Sequence, residues 1–259
     1  MANIRILYDM DAWDASTVTH SSEANSDLVA ENVLHDHIAK LWRTTGKASE
    51  WIRFDLGSAK QIKVFSMFSF NLTSSATVTL QANASDSWGS PSFSQALTIP
   101  TDSDSNVLQR IVYFLDQTYR YWRVTLADSG NTSSYLDVGR MSAGIYYEPP
   151  RNIDQAFSIA MFDPSEGSRV AGRQTFFRNR NRYRRATLNF NLQDQTQTDK
   201  LSTIMTKVGN SKPIVLSLDP TNRPSKDGMY CYLETPLSMA HQFVNQYNTA
   251  TLVFEEKTE

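Results

Sequence analysis

One cysteine, Cys231, is the whole thiol content of the 259-residue chain. No internal disulfide can form, and the chain is expected to fold in a reducing cytoplasm. Histidine is nearly as scarce. His20, His35, His37 and His241 are scattered, poor material for a zinc site or a Cys/His nucleophile. No stretch approaches the ~18 apolar residues of a membrane span, and Asp9, Asp11 and Asp14 interrupt the start too early for a signal peptide. The P-loop, GxGxxG, GxSxG, HExxH and CxxC signatures are all missing. Asp102 and Asp104 sit in a Ser/Asp-rich loop that fixes no spacing for glycoside hydrolysis. These gaps lead us to expect no enzyme, no metal, no cofactor and no membrane partner.

What the chain has is alternation. In Trp51–Phe70, Ile52, Phe54 and Leu56 alternate with Trp51, Arg53 and Asp55, the period of a strand with one face buried. Gly57-Ser58 reads as a turn into a second strand. There Ile62, Val64, Ser66, Phe68 and Phe70 share one face, with Phe65 and Met67 on the other, so both faces are expected to be covered. Residues 3–8 read as an edge strand, and Thr77–Ala82, Leu97–Pro100, Arg110–Leu115, Trp122–Leu126 and Val138–Tyr147 as further strands, about eight in all, as in a jelly roll. Glu148-Pro149-Pro150 ends the run, because proline cannot donate to a ladder.

Beyond it, Ala156–Phe162, Arg173–Phe177 and Tyr183–Leu192 read as strands, the last with Ala186, Leu188, Phe190 and Leu192 inward. Gln195–Val208 is the expected helix: Leu201, Ile204, Met205 and Val208 fall on one face, Thr196 or Thr198 caps it, and Gly209-Asn210 stops it. Pro213–Leu218, Met229–Leu233 and Ala250–Glu255 follow as strands. The expected fold is mainly β, with a jelly-roll β-sandwich over residues 1–150 and a second β-rich domain over 151–259.

Several of these stretches are similar to known families. Trp42-Arg43, then Trp51-Ile52-Arg53-Phe54-Asp55-Leu56-Gly57, Tyr119–Leu126 and Val138–Gly144 resemble the discoidin-type domain of the galactose-binding-like jelly rolls. That resemblance covers roughly 32–147 and implies ligand binding by loops at one end of the sandwich. Animal members carry a bracketing cysteine pair that is lacking here, which favours the bacterial or viral branch. Farther on come Asp163-Pro164, Gly172-Arg173, an Arg-rich hairpin, a helix, Asp219-Pro220 and a last strand ending Phe254-Glu255-Glu256. This order resembles the C-terminal part of tail-tip or baseplate proteins of long-tailed bacteriophages. It implies a virion component folded in the host cytoplasm, joined to other tail proteins and to copies of itself in a ring or hub.

Charge is unevenly spread. Residues 1–150 carry 11 basic against 16 acidic residues, 151–185 carry 8 against 3, and 186–259 carry 6 against 8. Within the basic block, Arg178, Arg180, Arg182, Arg184 and Arg185 are the expected subunit contacts, the first four sharing a face if the segment is extended. A basic stretch only ten residues long, 176–185, in an otherwise acidic or neutral chain argues against nucleic acid, which calls for a whole basic face. For a host surface glycan, the alternative partner, the candidates are Trp88 as an exposed platform, Arg43 as a fork and His37 in a polar loop. Trp42 is expected to plug the sandwich with Arg43 paired to a local acid.

Overall fold

The computed structural model describes residues 3–153, 157–169, 172–191, 193–243, 246–249 and 251–258. The chain divides into two compact units, Met1–Glu148 with Val215–Gly228, and Pro149–Ile214 with Met229–Glu259. The N-terminal half carries strands β1 (Arg5–Asp9), β2 (Thr17–His20), β3 (Trp42–Arg43), β4 (Glu50–Phe70), β5 (Thr77–Asn83), β6 (Phe93–Leu97), β7 (Arg110–Ala127) and β8 (Asp137–Tyr147), with a short helix α1 (Asp11–Asp14). The remainder carries β9 (Ser158–Phe162), β10 (Glu166–Arg169), β11 (Thr175–Arg178), β12 (Tyr183–Leu188), helix α2 (Gln195–Val208), β13 (Ile214–Ser217), β14 (Gly228–Leu233), β15 (Met239–Phe243), β16 (Gln246–Thr249) and β17 (Leu252–Glu256). The protein is mainly β, and its ladders are antiparallel.

In the first unit the strand order is β6-β5-β7-β4-β8-β1-β13, with β2 on β4 and β3 on β8. β1 is therefore interior and not an edge, held between β8 and β13. The expected turn at Gly57-Ser58 is a bulge. Gly57 takes φ +73, its N–H donates to Asp55 Oδ1 at 2.8 Å, and β4 resumes pairing with β7 at Lys60. One long ribbon thus replaces two strands on each side. That ribbon must fold over. Phe54 and Phe65 stand 11 residues apart, about 36 Å along a straight strand, yet their ring centroids lie 4.2 and 5.9 Å from that of Trp13. Such folding creates the two layers of a β-sandwich around Trp13, Trp42, Phe54, Phe65 and Trp122, all fully buried.

The faces of β4 differ from strict alternation at two points. Register slips between Ile62 and Val64, and Ser69 adopts φ +56. Ile62 and Phe70 consequently join Phe65 and Met67 in the main core, while Val64, Ser66 and Phe68 are buried too. Ser66 and Ser142 satisfy one another there through hydroxyls 2.7 Å apart. Gly144 permits a close approach by β1, since a Cβ on it would fall 1.8 Å from the Asp9 carbonyl oxygen.

The second unit has the strand order β14-β17-β12-β9, with hairpins β10-β11 and β15-β16. Ala186, Leu188 and Phe190 are inward as expected, and Leu192, Ala156 and Ala250 lie outside the described residues. In α2, Leu201, Ile204 and Val208 are buried, and Gly209 ends the helix at φ +57. Its cap is Asp194, which accepts the Gln197 N–H at 2.8 Å, ahead of the threonines that the pattern suggested. Cys231 is a buried thiol.

Candidate functional site

The outer face of the first unit gathers its aromatic and cationic side chains. Because Ile52 and Phe54 enter the core, Trp51, Arg53 and Asp55 must emerge on the other side of β4. On β7 the same logic buries Trp122 and Val124 and leaves Tyr121, Arg123 and Thr125 outside. Register then sets Thr19, Arg53, Arg123, Gln81 and Ser94 in one row across β2, β4, β7, β5 and β6. The loop after β5 brings Asp86 and Trp88 to this row.

Trp88 is half-buried, its indole N–H donating to Asp86 Oδ1. The Arg123 guanidinium lies 4.7 Å from its ring centroid and that of Arg53 5.8 Å. Arg53 also lies 4.0 Å from the Trp51 ring and 3.5 Å from Asp86. Arg123 donates its Nε–H to Gln81 Oε1 at 2.8 Å, and burial, then the charge of Arg53, pulls its pKa down. This surface offers indole, guanidinium and hydroxyl groups together on a rigid sheet.

Arg43 and His37 are placed elsewhere. Arg43 forks onto Asp137, Nε to Oδ1 at 2.7 Å and Nη2 to Oδ2 at 2.8 Å, with its guanidinium over the Tyr135 ring. Trp42, its neighbour, is fully buried and donates to the Ser22 carbonyl at 2.9 Å. His37 is exposed, and its ring stacks on His35 with centroids 5.5 Å apart. Burial, and then the charges of Lys40 and His37, lower the His35 pKa. Beneath this loop the fully buried Arg140 donates to Asp14 at 2.7 Å, and burial holds the Asp14 pKa above its ordinary value. Among the described residues no group of three or more His, Cys, Asp or Glu side chains converges as a metal site.

The arginine run of the second unit is not one extended strand. β11 ends at Arg178 and β12 begins at Tyr183, so the intervening residues form a connection. Arg180 reaches Glu166 at 3.3 Å and Arg182 reaches Asp163 at 2.9 Å. Arg184 pairs with Glu256 inside the fold, and Arg185 with Glu234 and Glu255. Arg178 makes no ion pair among the described residues. Apolar residues that strand periodicity alone would not place in the open are also exposed: Phe157, Ile159, Met161, Phe162, Phe176 and Phe177, Phe177 by 68% and Met161 by 65%. β9 is exposed at each of its five residues and ends the strand order, so its outer edge has no strand partner among the described residues.

No protein-family model matches the sequence, and no curated protein matches it. Similar solved structures exist. A chitosan-binding module from a Paenibacillus chitosanase/glucanase is 20% identical, covering 49% of this chain and 93% of its own, with a TM-score of 0.38. A Streptococcus pneumoniae fucose-binding module is 11% identical, covering 51% and 96%, with a TM-score of 0.40. A Clostridium perfringens module solved with GalNAc-β-1,3-galactose is 10% identical, covering 52% and 99%, with a TM-score of 0.41. These are carbohydrate-binding modules with the discoidin-like, galactose-binding-like β-sandwich. At such identities and TM-scores, their ligands are facts about those modules alone.

Proposed function

We propose that this chain is a structural component of a bacteriophage tail tip or baseplate, which docks onto neighbouring tail proteins and onto copies of itself through its second unit. One observation carries the reading: β9 ends the strand order with Ile159, Met161 and Phe162 exposed, and Phe176 and Phe177 are exposed on the β10-β11 hairpin. An uncovered apolar edge strand invites pairing with another chain. Large apolar side chains left in the open, on both faces of β9 and of β11, add a surface suited to interaction. The order of the second unit's motifs, similar to tail-tip proteins, supplies the virion setting, with folding in the host cytoplasm. The test is an epitope label on this chain in purified particles. The reading expects the label at the distal end of the tail, and a chain missing from washed particles overturns it.

A second reading is favoured by the half-buried Trp88 and its two guanidinium neighbours: the first unit attaches to bacterial surface glycans. It expects glycan-array binding that disappears in Trp88→Ala with unchanged thermal stability. An array on which the intact protein binds nothing overturns it.

A further inference from the structure

Arg53 and Arg123 are directly paired residues of β4 and β7. Like charges so placed destabilise a sheet. Among the described residues, the carboxylate beside them is Asp86, which lies 3.5 Å from Arg53, is half-exposed, and also accepts the Trp88 indole N–H. Arg53 Nε is buried with no hydrogen-bond partner, and Gln81 takes the Nε–H of Arg123. Burial and the charge of Arg53 both work against the cationic form of Arg123. Two guanidiniums thus share one carboxylate, with Trp51 beside the first and Trp88 beside the second. The row that holds them continues into neutral hydrogen-bonding side chains, Thr19 on one side and Gln81 and Ser94 on the other.

We propose that this face binds a saccharide through one carboxylate, of the uronate or sialate type, seated between Arg53 and Arg123 with the sugar ring against Trp88. The inference rests on the glycan-attachment reading and narrows its ligand class. An Arg fork matches a carboxylate in geometry as well as charge, and the anion relieves the repulsion between the paired arginines. Single-stranded nucleic acid would call for a track of cations along a phosphate backbone, whereas this face has one pair of arginines with Asp86 beside it, and Arg120 is already forked onto Asp55.

Tryptophan fluorescence of the full chain reads the site directly. Trp13, Trp42 and Trp122 are fully buried, so ligand-induced changes report on Trp51 and Trp88. The titrants are a galacturonic acid trimer, its neutral galactose counterpart, a phosphorylated sugar and a thymidine oligonucleotide. The uronate trimer is expected to bind at least about tenfold more tightly than the neutral one, and added salt narrows that margin. Arg123→Gln, and separately Arg53→Gln, removes the margin while the melting temperature is retained. A neutral trimer or phosphorylated sugar that binds as tightly as the uronate overturns the carboxylate assignment and leaves glycan attachment standing. Preference for the oligonucleotide, or no response to any titrant, overturns both.

Discussion

Arg184 and Glu256 hold each other between β12 and β17. Glu256 Oε2 accepts both the Arg184 Nε–H at 2.9 Å and its backbone N–H at 3.0 Å, with 10% and 14% of the two side chains exposed. This arginine therefore belongs to the fold, whereas Arg178, six residues earlier, lies on an exposed strand. Removing one partner of a buried pair strands the other charge, so Arg184→Ala should cost about 3–5 kcal/mol. Arg178→Ala should stay within about 0.5 kcal/mol. Urea unfolding of both variants checks this, and equal losses would show that the run is uniform after all.

Gly144 gives a prediction about the first unit. A methyl group there would collide with the Asp9 carbonyl, forcing β1 off β8. Gly144→Ala should cost about 3 kcal/mol or more. Gly89→Ala, with nothing within 4 Å of its Cβ, should change stability by less than about 0.5 kcal/mol. Thermal melts compare the two.

Asp163 provides the pH signature of the Arg-rich hairpin. The Ser165 hydroxyl, the Ser165 N–H and Arg182 all bind its carboxylate, holding its pKa down to about 2 from 3.8. The folded value lies below the unfolded one. Its contribution to stability is therefore complete above the unfolded value and is lost as pH falls through about 2. Carboxyl NMR titration should give that midpoint, and Ser165→Ala should raise it more than Arg182→Ala does. A midpoint at the ordinary value would remove the hydroxyl contact from the account.

Local pattern made much of the fold legible. The alternation of Ile52, Phe54 and Leu56 and the 3.6-residue spacing of Leu201, Ile204 and Val208 are short-range signals, and the buried faces follow them. Long-range events left no such mark. Gly57-Ser58 has the composition of a turn, but β7 pairs on both sides of it and turns a break into a bulge. The return of Val215–Gly228 to the first unit depends on β13 pairing with β1, some 210 residues earlier in the chain. For the same reason Trp88 was visible as a candidate while its neighbours Arg53 and Arg123 were not, since register brings three distant segments together. The arginine run reads as one face in the sequence because its acids, Asp163, Glu166, Glu234, Glu255 and Glu256, come from three separate stretches of chain.

The exposed apolar side chains of the second unit are the feature on which the assembly role depends, and sedimentation velocity measures their effect most directly. The intact chain, run over a range of concentrations beside the Phe176→Asp/Phe177→Asp double variant, should associate as concentration rises. The variant, whose altered side chains lie in the open, should keep the wild-type melting temperature and sediment as a monomer. An intact chain that stays monomeric at every concentration and gains no mass when mixed with other tail proteins would contradict the account.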